Sequence, residues 1–98
     1  MNGKTKSTSD ALRLVLFGQV QGVSLRNAIC NKGRELPISG YVRNQDDGTV
    51  EVVMRGERRK VEEMIQFCKN SPGYAKVREV SIEPIFEEGE EGGFTIRF

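Results

Sequence analysis

One stretch of this chain, Gly18-Gln19-Val20-Gln21-Gly22-Val23-Ser24-Leu25-Arg26, holds most of its chemical promise. It has two glycines, no proline, no acid, and an arginine at its end. It joins an apolar run to an amphipathic one, so it reads as a strand-to-helix loop. Backbone amides from such a loop, a helix N-terminus and a guanidinium can converge on one small space. That space suits a doubly charged oxyanion such as a phosphoryl group. Gly22 allows positive φ and close approach of backbone to ligand. Arg26 lies in the first helical turn and can reach back over the same pocket. Its planar fork matches two phosphoryl oxygens in a way lysine does not. Taken alone, the stretch also reads as an ordinary glycine-containing turn with a surface arginine.

Composition removes many rival chemistries. The 98 residues make one domain, large enough for a modest core without metal or disulfide staples. Lys and Arg number 15 and Asp and Glu 14, which argues against a nucleic-acid binder built on a basic face. There is no histidine, so the most common general base and every Ser-His or Cys-His scheme are absent. Ser24 therefore has no histidine to activate it and reads as a helix N-cap. Cys30 and Cys68 form neither a metal set nor a disulfide framework. Cys68 falls on an apolar helix stripe, Cys30 at the edge of another, and both are expected as reduced thiols. A bridge between them is geometrically possible but disfavoured in a cytoplasmic protein. The longest apolar run, residues 14–17, cannot span a membrane. Residues 1–9 are polar, lack the apolar core of a secretory signal, and read as a disordered leader. The expectation is a cytoplasmic monomer with no membrane partner.

The elements that must position the loop follow from periodicity. Residues 12–17 read as a strand, apolar on both faces and hence central in a sheet. A helix from Ser24 to about Leu36 carries Leu25, Ala28, Ile29, Gly33 and Leu36 on one stripe, and Pro37 ends it. Gly33 there permits close approach to a sheet. Residues 38–44 and 49–55 read as strands joined by an Asp47-Gly48 turn. On the second of these, Val50, Val52 and Met54 face one way. Glu51, Val53 and Arg55 face the other, which predicts a half-exposed sheet face, and Gly56 is expected to break the strand. A second helix spans 58–69, with Val61, Met64, Ile65 and Cys68 on its stripe. The Arg55, Arg58, Arg59 and Lys60 cluster reads as its solvated start, or as a contact for an anionic partner. Residues 77–85 form a strand whose apolar positions alternate irregularly. Residues 87–93 form an acidic connector, and Phe94, Ile96 and Phe98 mark a short closing strand. The order βαββαβ plus one strand predicts an α+β, ferredoxin-like sandwich: an antiparallel sheet with two helices on one face.

A second segment raises the loop above a generic turn. Gly40-Tyr41-Val42-Arg43-Asn44 precedes Asp47-Gly48-Thr49-Val50, and Asn44 stands eighteen residues after Arg26. Together with Gly18-x-Val20-Gln21-Gly22-Val23-x-x-Arg26, this resembles the acylphosphatase family. The similarity continues through 71–77 and Phe94-Thr95-Ile96, so it covers nearly all of residues 10–98. The resemblance implies hydrolysis of the carboxyl-phosphate bond of small acyl phosphates, with no metal and no cofactor. It implies that amides of Gln21, Gly22, Val23 and Ser24 and the Arg26 guanidinium hold the phosphoryl oxygens. A phosphate or sulfate ion would occupy the same loop. Gly18 and Val20 support it, and Asn44 orients the attacking water. The family usually has Phe or Tyr where this chain has Leu25, which implies a looser loop. Tyr41 reads as a sheet-face aromatic beside the site.

Two alternatives stand beside the enzyme. One is a non-catalytic acylphosphatase-like binding or regulatory domain. The other is an RNA-binding domain of the same topology, which stacks bases on aromatics of its central strands. Residues 49–54, in the third strand, contain no aromatic.

Overall fold

The computed structural model describes residues 9–22, 24–86 and 92–98. The expected leader therefore lies outside the described residues except for Ser9, which already belongs to the first strand. Most of the acidic connector also lies outside them. The elements are β1 (Ser9–Gln19), α1 (Leu25–Glu35), β2 (Ser39–Asn44), β3 (Val50–Glu57), α2 (Arg58–Lys69), β4 (Lys76–Pro84) and β5 (Phe94–Arg97).

They form one five-stranded sheet in the order β4-β1-β3-β2-β5. The β1–β3, β1–β4 and β2–β3 pairings are antiparallel. β5 joins β2 in parallel, so the expected antiparallel sheet gains a parallel edge. Leu14 and Leu16 of β1, Val42 of β2, and Val50, Val52 and Met54 of β3 are buried in one core. Leu25, Ile29, Val61, Met64 and Cys68 of the two helices share that core, so both apolar stripes are spent on a single sheet face.

Several local expectations change. β3 runs straight through Gly56, because the glycine answers a packing need: a Cβ there would meet Ile38 Cγ2 at 2.8 Å. The outward face of β3 is covered, with Glu51 only 4% exposed and Val53 also buried. β3 lies between β1 and β2, and Arg13 and Arg43 reach Glu51 from those neighbours. Cys30 is turned into the core and its Sγ faces Phe94 O at 3.5 Å. The irregularity of β4 is a bulge: the register slips between Phe17 and Gly18, which pair with Glu79 and Val77, so Arg78 is the extra residue. Gly18 sits at that slip with φ 128°, and a Cβ on it would meet Lys76 O at 2.2 Å. It is thus required where two backbones nearly touch.

Candidate active site

β1 delivers the chain to residues 20–24, and α1 starts at Leu25. Gly22 has φ 75° and Ser24 φ 61°, so left-handed backbone stands on both sides of position 23. Nothing would crowd a Cβ at Gly22, so glycine is needed there for its conformation and not for space. Ser24 has no such exemption; a left-handed non-glycine residue costs about 1–2 kcal/mol. Such strain persists where the surroundings enforce it, often at functional turns. It also removes the expected capping role. Ser24 occupies the N-cap position without a side-chain hydrogen bond, because that bond needs the extended backbone of an ordinary cap.

Beside this turn lies a cleft of about 430 Å³ lined by Val20, Gly22, Ser24, Leu25, Arg26, Asn27, Asn44, Ile96 and Phe98. The fold thus brings Arg26, Asn44, Gly22, Ser24 and Val20 together. Gly18 lies outside the lining, held at the β4 crossing. Val23 lies outside the described residues. Gln21 turns its side chain towards the β2–β3 turn, where Nε2 donates to Gln45 O at 2.8 Å and to Thr49 O at 2.9 Å.

Arg26 is half-buried, and its guanidinium lies 5.0 Å from the centre of the Phe98 ring. Among the described residues no carboxylate stands within 4.0 Å of it. Among those residues, then, no carboxylate takes up its charge, and Arg26 lines the cleft. Asn44 closes β2, and its Oδ1 is buried with no hydrogen-bond partner among the described residues. A buried carbonyl oxygen left unpaired costs about 1–3 kcal/mol. An orphan of this kind marks a place for water or ligand. A carboxamide of this sort can accept from a water while its NH2 donates.

The turn after Asn44 is braced by its own residues. Gln45 N donates to Thr49 O, Gln45 Nε2 to Thr49 Oγ1, and Thr49 Oγ1 to Asp47 Oδ1. Those contacts with Thr49 hold the Asp47 carboxyl below its usual range. Beneath, Arg13 and Arg43 grip Glu51, and Arg13 also reaches Gln45 Oε1 at 3.4 Å. Burial is the largest single influence on Glu51 and pushes its pKa up. The hydrogen bonds and charges of Arg43 and Arg13 together outweigh burial and hold it below 4.5. Tyr41 lies on the sheet under the Arg97 guanidinium, 3.9 Å from ring centre, as a structural aromatic.

Sequence reasoning missed Asn27, Ile96 and Phe98 as cleft residues. Asn27 follows Arg26 directly, so its place in the first turn was visible. Ile96 and Phe98 were not, because they arrive only through the parallel pairing that sets Val42 against Ile96 and Arg43 against Arg97. One step further along that register, Phe98 comes beside Asn44.

Fold and cleft together define a small ferredoxin-like α+β protein with a polar, anion-suited cleft at one end of its sheet. Residues 12–96 match the model of the acylphosphatase family. The chain is 44% identical over 81 residues to an acylphosphatase of Roseiflexus sp. (strain RS-1), covering 83% of this chain and 87% of that one. It is 41% identical over 86 residues to one of Anaeromyxobacter dehalogenans, covering 88% and 92%. The structure of an acylphosphatase from Coxiella burnetii matches with TM-score 0.85 at 31% identity, over 92% of this chain and 94% of that one. The chain belongs to the acylphosphatase family, and with it to the hydrolases; the non-catalytic binding module is not favoured.

Proposed function

We propose that the chain hydrolyses small acyl phosphates to a carboxylate and inorganic phosphate, using Arg26 and the residue 21–24 amides as cradle and Asn44 as water-orienting group. The observation that carries this is the orphaned, buried Oδ1 of Asn44, which lines the same cleft as Arg26 and the left-handed Gly22 and Ser24. Left-handed turns curl a chain so that successive N–H groups can face one anion. The water oxygen attacks phosphorus, the phosphorus–oxygen bond to the carboxyl breaks, and the carboxylate leaves with the electron pair. A carboxylate is a good leaving group, so no protein acid is needed. The water proton passes to a phosphoryl oxygen, which fits a chain without histidine. Catalysis then rests on placement and charge, as phosphoryl transfer allows. The acyl part meets Leu25, Ile96 and Phe98, the apolar side of the cleft. No metal takes part in this scheme, inorganic phosphate or sulfate occupies the cradle, and the protein works as a cytoplasmic monomer. Among the described residues no helix is long and apolar enough to cross a membrane.

The test is hydrolysis of acetyl or benzoyl phosphate with a chelator present. One preorganised donor to a transition-state oxygen is worth about 3 kcal/mol, or roughly a hundred- to a thousandfold in rate. Asn44→Ala is expected to lose turnover of that order while inorganic phosphate still inhibits. Arg26→Ala is expected to lose both turnover and phosphate binding. Unimpaired turnover in Asn44→Ala overturns its role, and inhibition of the wild type by chelator overturns the metal-free scheme.

A further inference from the structure

We propose that Gln21 acts through its side chain as a positioning residue, setting where Asn44 stands relative to the phosphate-binding turn. This rests on the roles proposed above for Arg26 and Asn44. The Gln21 amide nitrogen gives both of its hydrogens to backbone carbonyls, Gln45 O at 2.8 Å and Thr49 O at 2.9 Å. Both partners are acceptors, so the orientation of the amide is dictated: nitrogen, not oxygen, must face them. Gln45 directly follows Asn44, and Thr49 O is the same oxygen that receives Gln45 N. Two lone pairs on that carbonyl are thus shared between the closure of the turn and the tie to Gln21.

The turn after Asn44 is also braced by hydrogen bonds among Gln45, Asp47 and Thr49. Gly22 follows the end of β1, and Ser24 is tied to α1 by its carbonyl, which accepts from Ala28 N at 3.2 Å. Among the described residues, the two bonds of Gln21 are the hydrogen bonds that join residues 20–24 to residues 44–49. Their distinct contribution is therefore the distance between the two halves of the proposed site. One half holds phosphorus and the other holds water, so an error in that distance is an error in the attack trajectory. Misplacement of about 1 Å costs on the order of a hundredfold in rate. Two side chains of similar length would not replace it. Methionine matches the length without donors, and glutamate sets a carboxylate against two carbonyl oxygens.

Gln21→Met separates this role from a general contribution to folding. In benzoyl phosphate hydrolysis its kcat is expected to fall about ten- to a hundredfold. The inhibition constant of inorganic phosphate, which contacts only the cradle, stays within about twofold. In the Asn44→Ala background the same substitution adds no more than about a twofold loss, because a misplaced water-holder and a missing one are equivalent. Wild-type kcat in Gln21→Met overturns the proposal. So does a loss that multiplies fully with that of Asn44→Ala, since independence would mean Gln21 acts elsewhere. Full turnover in Asn44→Ala alone would instead defeat the role given to Asn44. Gln21→Glu gives a second reading. Its carboxylate repels both carbonyls at neutral pH but donates one hydrogen bond when protonated, so its turnover relative to wild type rises as pH falls towards about 5. A ratio indifferent to pH overturns the proposal.

Discussion

At the scale of single residues, the proposed site is built without a histidine, since the chain has none. Arg26 supplies charge in a planar fork and Asn44 a carboxamide. Arg26→Lys keeps the charge and loses the fork. In benzoyl phosphate turnover it is expected to lose about ten- to a hundredfold in kcat/KM, between the wild type and Arg26→Ala. Activity near wild type would show that a point charge suffices. Both cysteines are buried, and burial pushes the Cys68 thiol up to about 12. A thiol in that state is not a nucleophile at neutral pH. Ellman's reagent is expected to leave Cys68 unmodified in the native protein and to label it promptly in denaturant. Arg26 and Asn44 were legible because type and spacing are sequence properties. The bracing by Gln21 was not, since the acceptors of its side chain are backbone oxygens some two dozen residues away, which only the assembled sheet brings near.

At the scale of elements, α2 was read in full from its stripe and α1 to within a residue of each end. Strand edges were less legible. The alternation of Phe94 and Ile96 shows a strand but not its neighbour, and nothing local says that β5 will run parallel to β2. The neighbour is chosen by packing around Phe94, whose ring lies against α1. A Cβ at Gly33 would stand 2.5 Å from Phe94 Cγ, while Phe94 O receives the Arg34 Nε hydrogen at 3.1 Å. Gly33→Ala is thus a contest between two effects. Alanine gains about 1 kcal/mol of helix propensity, but overpacking costs about 1–3 kcal/mol. Phe94 Cγ, Cδ1 and Cδ2 would all stand under 3.0 Å from the new methyl, and Cγ is one bond from Cβ with little room to give, so the substitution is expected to lower stability by about 1 kcal/mol in urea denaturation. Increased stability would show that β5 can shift away. Gly56 was misread for the same reason: a glycine that breaks a strand and one that admits a neighbour look alike until Ile38 is in place.

At the scale of the whole molecule, the sheet face away from the helices is held by charge where the other is held by apolar packing. Glu51 sits at its centre with a carboxyl held below the ordinary 4.5. A depressed carboxyl contributes stability that is present above the unfolded value and lost as pH falls through the folded one. Glu51→Gln should therefore cost stability at pH 7, a cost that shrinks as pH falls below 4.5 and through the folded value. Removing one member of a fully buried pair costs about 3–5 kcal/mol; with both guanidiniums partly exposed, about 2 kcal/mol is expected here. Chemical denaturation across pH checks both parts, and a difference constant down to pH 3 would mean that Glu51 is not the titrating group. The strand order has a further consequence, one of timing. β1 takes its partners from 50–57 and 76–84, and the edge of β2 away from β3 is closed by 94–97. Sheets joined over such separations form in milliseconds to seconds, because loop closure precedes the contacts that reward it. The cleft draws on the first turn, the second strand and the last strand at once. During refolding, then, hydrolysis is expected to return with the slowest phase and never ahead of the sheet signal in circular dichroism. Activity becomes a clock for the arrival of the final strand.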